Sequence, residues 1–302
     1  MHTRIIHNGR LQEATKARLR AMTAASLYGC GVFTTLAVYH GQPFLWPQHW
    51  ARLMEHAERI GISLNDVDGE SVHASLLKLI EANEVQDGRA RVTLLQNAER
   101  GLWNVERRTD AAPVEILIVT GEARTVAADG IALTISPYRI NTLSPLAGIK
   151  SVNYMEHLIS LEEARARDFD EAVTLNERGE VVAATMANIF WVKNGTLHTP
   201  PLATGAMSGT TRAAVIALAG ELSVPFVENV CELGQLADAD EIFLTSAGLG
   251  VAIVTTFDFH RYNVPVGSVA LRLREAFRQL TIGMNNDEGE RGKGSGAGAK
   301  NR

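Results

Sequence analysis

Two stretches of this sequence carry side chains whose type and spacing could do chemistry. In "SPLAGIKSVNYMEHL", Lys150 follows Gly148 and Ile149 and precedes Ser151 and Val152, with no carboxylate beside it. A lysine in such an apolar setting is pushed toward its neutral amine, the form that attacks an aldehyde carbon to make a Schiff base. Taken alone, Lys150 suits a surface position at least as well. In "SGTTR", Gly209 permits a close backbone approach, and Thr210 and Thr211 open a helix whose N-terminal amides favour an anion. The same residues also suit an ordinary helix start with a threonine cap.

Those side chains need elements to hold them, and the hydrophobic pattern predicts a mixed set. From Arg4 to Gln42, short β-type runs alternate with the turn pairs Asn8-Gly9 and His40-Gly41, which reads as paired antiparallel strands. Apolar residues recur at helical spacing through Trp50, Leu53, Ala57 and Ile60, and again through Val72, Leu76, Leu79 and Ile80, predicting helices over 46–60 and 71–82. "RARVTLLQN" and "PVEILIVTG" read as strands that complete a first unit, after which the small, polar "EARTVAADG" marks a connection. Strands are expected next at 131–137, 171–176, 187–193 and 241–245, with helices at 154–167 and 211–222. The expected organisation is a small N-terminal α/β domain over 1–121, a connection over 122–130 and a larger C-terminal domain over 131–282. The remainder, 283–302, is rich in Gly and charge without apolar periodicity and is expected to be disordered.

Composition narrows the partners. A chain of 302 residues, 46% hydrophobic and 21% charged, can bury the core of one large or two smaller domains. A net charge of -5, a pI near 6.0 and no Lys/Arg run argue against a nucleic-acid partner. No apolar run is long enough to span a bilayer and the N-terminal residues hold no apolar signal core, so no membrane partner and a cytoplasmic location are expected. Cys30 and Cys231 form no CxxC pair, so no disulfide framework and no metal site are expected.

The segments "YGCGVFTTLAVYHGQPF", "KSVNYMEHLISLEEARARDFDEAV" and "ANIFWVKNGTLHTPPLATGAMSGTTR" together resemble the class IV pyridoxal-phosphate family, which includes branched-chain aminotransferases, D-amino-acid aminotransferases and 4-amino-4-deoxychorismate lyases. The resemblance runs from about Ile6 to Phe277. It implies an α/β (α+β two-domain) architecture, the D-amino-acid aminotransferase-like fold type IV, with pyridoxal 5'-phosphate in the cleft between the domains. It also implies a homodimer in which a loop of the neighbouring subunit completes each substrate pocket.

Carried onto this chain, the resemblance implies that Lys150 holds the cofactor as a Schiff base and then serves as the general base. Tyr154, in "KSVNY", is the implied partner of the cofactor's phenolic oxygen. Arg52, in "QHWARL", is the implied phosphate-binding arginine, joined by Gly209, Thr210 and Thr211. Ser246 in "FLTSAGLG", with Thr245 behind it, is a further implied phosphate donor, although relatives often carry threonine where Ala247 stands. Arg100 in "QNAERGLW" sits where relatives have arginine-containing loops and is the candidate for a substrate carboxylate; Arg100 and the pair Arg107-Arg108 read equally as a solvated loop. The implied reaction moves an amino group between an amino acid and a 2-oxo acid.

Two positions depart from the family pattern. Relatives have a glutamate five residues before the asparagine that matches Asn188, and there it keeps the pyridine nitrogen protonated; this chain has Ala183. Glu180 lies three residues away, an odd offset that points to the opposite face of a strand. An acid from elsewhere in the fold, a water held by Thr185 or an unprotonated ring are the alternatives, and a catalytically impaired relative is one reading of the loss. Thr34 stands where many aminotransferase relatives have glutamate, whereas some deoxychorismate lyases have a Thr-Thr pair. Thr34 is therefore a candidate substrate contact, and a lyase acting on aminodeoxychorismate to release pyruvate and 4-aminobenzoate is the alternative reaction.

Overall fold

The computed structural model describes residues 1–97, 114–125 and 130–291. The chain opens with β1 (Arg4–His7) and β2 (Arg10–Glu13), α1 (Ala24–Tyr28), β3 (Gly31–Tyr39) and β4 (Gln42–Pro43). Both expected hairpin turns form, with positive φ at Asn8-Gly9 and at His40-Gly41. Helices α2 (Trp46–Arg59) and α3 (Gly69–Ala82) follow, then β5 (Gly88–Gln96) and β6 (Val114–Glu122). The six strands make one antiparallel sheet in the order β2-β1-β6-β5-β3-β4.

The two helices cover one face of this sheet. Leu53 and Ala57 of α2 and Leu76 and Leu79 of α3 pack on Leu36, Val92, Leu94 and Ile118. Because strand side chains alternate, that packing fixes what the other face shows. On β5 the residues Ala90, Val92 and Leu94 turn to the helices, and Arg89 and Arg91 turn away. On β3 the residues Val32, Leu36 and Val38 turn to the helices, and Phe33 and Thr35 turn away.

The second unit carries β7 (Ile131–Ile140), α4 (Met155–Arg165), β8 (Glu171–Asn176), β9 (Val181–Ala184), β10 (Asn188–Lys193), β11 (Thr196–Thr199), α5 (Thr210–Glu221) and β12 (Phe226–Glu228). It ends with α6 (Leu233–Ala237), β13 (Glu241–Ser246), β14 (Gly250–Phe257), β15 (His260–Arg261) and α7 (Val269–Arg291). The sheet is mixed, ordered β12-β11-β10-β13-β14-β7-β8-β9 with β15 on β14. Its central strands are covered on both faces. Ile189 and Trp191 of β10 join one core with Ile242, Leu244 and Leu236, while Phe190 and Val192 join another with Phe243, Val215, Leu218 and Leu273. Burial on two sides explains why "NIFWV" reads as a continuous apolar run.

Helix α7 continues to Arg291, past the expected boundary at 282. Extending a formed helix gains one backbone bond for each residue fixed, so the start of the polar tail prolongs it. Residues 292–302 lie outside the described residues.

Candidate active site

A cavity of about 890 Å³ lies in the cleft where the free face of the first sheet meets the second unit. The first unit contributes Phe33, Thr35, Arg52, Arg89 and Arg91 to its wall. The second contributes Lys150, Tyr154, the 182–188 segment, Gly209 to Thr211 and Thr245 to Gly248.

Lys150 is held by its backbone before its side chain does anything. Its carbonyl accepts from Phe33 N at 2.9 Å, and its own N–H donates to His56 Nδ1 at 3.0 Å. Gly148, at φ 72°, takes a left-handed conformation just before it, beside the Ala206 carbonyl. The amine donates to Tyr154 Oη at 3.2 Å and lies over the Phe33 and Tyr154 rings, with no carboxylate partner among the described residues. Burial, then the charges of Arg52 and Arg91, lower its pKa to about 7. The phenol of Tyr154 moves the other way, raised to about 12 chiefly by burial and next by the charge of Glu171. Phe33 meets the Tyr154 ring edge-on and His157 stacks on it at 4.3 Å, so the phenol is clamped.

Arg52 enters from α2, where His49, Arg52 and His56 recur at i, i+3 and i+7 and form one buried polar stripe. Its guanidinium donates to Thr34 Oγ1 at 3.0 Å and to the Ser208 carbonyl at 3.2 Å, while Nε has no partner among the described residues. Burial lowers its pKa to about 10, so the group stays a cation. Opposite it, α5 begins at Thr210 with Gly209 as its N-cap. A Cβ at Gly209 would lie 2.0 Å from Asn188 Oδ1, so only glycine lets the chain come this close. Thr245 adds a buried hydroxyl without a hydrogen-bond partner among the described residues, and Ser246 beside it accepts from Leu249 N at 3.2 Å. A guanidinium N–H and a hydroxyl with no partner among the described residues, together with a helix N-terminus on the same cavity wall, suit a phosphate group, and a lysine that is readily neutral suits an aldehyde. The residues present fit pyridoxal 5'-phosphate.

The structure thus brings Lys150, Tyr154, Arg52, Gly209, Thr210, Thr211 and Ser246 to one cavity. It does not bring Thr34 there. Thr34 is on the helix-facing side of β3, fully buried, with its hydroxyl engaged by His49 and Arg52; Thr35, one residue on, lines the cavity. The expectation of a substrate contact at Thr34 is corrected by strand parity. Arg100, Arg107 and Arg108 lie outside the described residues. Arg89 and Arg91 line the cavity instead, with the Arg91 guanidinium 3.6 Å from the centre of the Phe33 ring. Their signal was legible as two arginines alternating with Ala90, Val92 and Leu94, and that of His49 and His56 as a polar stripe beside an apolar one.

Ala183 faces the cavity on β9, and Glu180 is tied to Arg178 and Asn176 away from it. A different acid stands behind this wall. Glu171, fully buried, accepts from the Thr185 hydroxyl and from Met186 N, and lies 3.7 Å from Arg124. Burial raises its pKa first, and the bond from Thr185 and the charge of Arg124 oppose that. Among the described residues no group of side chains is arranged to hold a metal ion, and no helix is long and apolar enough to cross a membrane.

Comparison with known proteins agrees with this fold. Among solved structures, the branched-chain aminotransferase of Thermoproteus uzoniensis superposes with a TM-score of 0.86 at 25% identity, over 95% of this chain and 97% of that one. Aminodeoxychorismate lyase of Bacillus subtilis is 29% identical over 94% of this chain and 97% of its own length. A Methanocaldococcus jannaschii protein with a provisional branched-chain-amino-acid aminotransferase name is 31% identical over 92% of this chain and 96% of its own. Residues 31–257, which span every cavity residue named above, match the family described as amino-transferase class IV. The chain belongs to the class IV aminotransferase family, whose enzymes use pyridoxal 5'-phosphate.

Proposed function

We propose that this chain transfers an amino group between an amino acid and a 2-oxo acid, with Lys150 as the residue that both tethers the cofactor and moves the proton. The observation that carries this reading is a lysine amine whose pKa is lowered to about 7, 3.2 Å from Tyr154, on the wall of the cavity that Arg52 and the N-terminus of α5 also line. Arg52, Thr210, Thr211, Thr245 and Ser246 would hold the cofactor's phosphate, and Tyr154 its phenolic oxygen. The cofactor, when bound, supplies an aldehyde carbon and a ring that withdraws electrons from the substrate's Cα. Lys150, once free, takes the Cα proton at Nζ and returns it, and its depressed pKa lets it act in both directions at neutral pH. Arg91, fixed over Phe33 on the cavity wall, is the second cation whose charge lowers the Lys150 pKa, and it is assigned the substrate carboxylate.

Cofactor loading follows from the same amine. Only the neutral form attacks an aldehyde, so loading of cofactor-free protein rises with pH through a midpoint of about 7 and then levels off. Stopped-flow absorbance across this range measures it, and a midpoint near that of an ordinary lysine, about 10.4, would contradict the assignment.

The lyase reading is favoured by the likeness to the Bacillus subtilis enzyme over nearly the whole chain and by the Thr34-Thr35 pair. The two reactions are separated by offering branched-chain amino acids, D-alanine and enzymatically made aminodeoxychorismate in parallel, with 2-oxo acid, pyruvate and 4-aminobenzoate as readouts. Release of 4-aminobenzoate without amino transfer would replace the first reading by the second. A homodimer is part of the proposal, supported by the apolar side chains Leu143, Met155, Leu158 and Ile159 left exposed beside the cavity, and so is a cytoplasmic location.

A further inference from the structure

A buried hydrogen-bond chain crosses the cleft between the two units and ends on the anion site. Arg52 Nη2 donates to Thr34 Oγ1 at 3.0 Å; Thr34 Oγ1 lies 2.7 Å from His49 Nδ1; His49 Nε2 lies 3.1 Å from Thr210 Oγ1. The direction of each bond can be deduced. Arginine only donates, so the proton of the fully buried Thr34 hydroxyl has one acceptor among its partners, His49 Nδ1. The opposite arrangement would leave that hydroxyl proton buried and unsatisfied. With Nδ1 accepting, a neutral imidazole carries its proton on Nε2 and donates to Thr210 Oγ1. The Thr210 hydroxyl, its oxygen already engaged, has its own proton left over on the cavity wall.

We propose that His49 is a positioning residue which, locked as the Nε2–H tautomer by Thr34, aims the Thr210 hydroxyl proton into the cavity and so completes a site for a phosphate group. Two independent features of the same cavity wall point to an anion there: the buried Thr245 hydroxyl and the Arg52 Nε–H, neither of which has a partner among the described residues. His49 remains neutral throughout, because burial first, and then the charges of Arg52 and Lys150, lower its pKa to about 3. Thr34 acquires a purpose from this. A hydroxyl can accept from Arg52 and donate to His49 at once, whereas a carboxylate at the same position could only accept, which would draw the His49 proton to Nδ1 and turn the Thr210 proton away from the cavity.

The inference rests on the phosphate-binding part of the proposed function and not on amino transfer, so a chain that binds phosphate but moves no amino group leaves it intact. Its test uses cofactor-free protein with inorganic phosphate as the probe. Nitrogen-15 spectra of histidine-labelled protein, with the His49 signal identified by its loss in His49→Gln, should show the Nε2–H tautomer and no protonation at neutral pH. Calorimetry should show phosphate binding weakened on the order of tenfold to a hundredfold in His49→Leu, the loss of one hydrogen bond to a charged group. His49→Gln, whose amide can accept from Thr34 and donate to Thr210, should retain most of the affinity. An Nδ1–H tautomer, a charged His49, unchanged binding in His49→Leu or equal losses in both variants would each overturn the proposal. If His49→Leu does not fold, the tautomer and the His49→Gln affinity decide it.

Discussion

Lys150→Ala loses covalent cofactor capture and lowers kcat/KM for amino transfer by about 10⁴-fold or more, since tether and proton carrier are one group. Borohydride treatment of the cofactor-loaded protein followed by mass spectrometry should find the cofactor mass on the Lys150 peptide in wild type and no adduct in the variant. The fold should survive the change. The amine has no ion pair among the described residues, and the backbone bonds to His56 and Phe33 do not depend on the side chain. A variant that melts normally yet keeps wild-type turnover would end the claim that Lys150 is the reactive amine.

The second large effect is at Arg52. Arg52→Met removes a buried cation that has no carboxylate in contact among the described residues, so the cofactor-free protein should keep or gain melting temperature. Cofactor affinity should fall by about 2–3 kcal/mol, roughly 30- to 150-fold, because a charge-assisted bond to the phosphate is lost. The variant carries an internal check. Arg52 helps to lower the Lys150 pKa, so its removal shifts the midpoint of cofactor loading above about 7. Equilibrium binding of the cofactor and the pH profile of loading read the two effects separately. Unchanged affinity would move the phosphate site away from α2.

Much of this was open to a reader of the sequence alone. The hairpin pairs Asn8-Gly9 and His40-Gly41 and the spacing along α2 and α3 are local, because a two-residue turn or a helical face is specified within a few positions. The "SGTTR" helix start was legible for the same reason, whereas Lys150 stood out only through the family resemblance. Counting only apolar residues along α2 hid the His49-Arg52-His56 stripe, which has the same period with polar side chains. Naming Thr34 as a substrate contact left strand parity out, since motif matching finds a strand position without saying which way it faces.

The relation between Lys150 and Arg52 shows where that reading stops. Neither "GIKSV" nor "WARLM" holds any trace that the two cations would share one cavity, depress the lysine to about 7 and leave the arginine charged. A desolvation cost depends on what surrounds a group from every side, and here the surroundings come from segments nearly a hundred residues apart. The same holds for Glu171 behind the Ala183 wall, which no local pattern marks. The order of residues thus sets the elements and the kinds of reactive group they carry, because those are short-range properties. Which groups meet, which way their protons point and whether Lys150 is an amine or an ammonium are settled only when the two sheets close on the cleft.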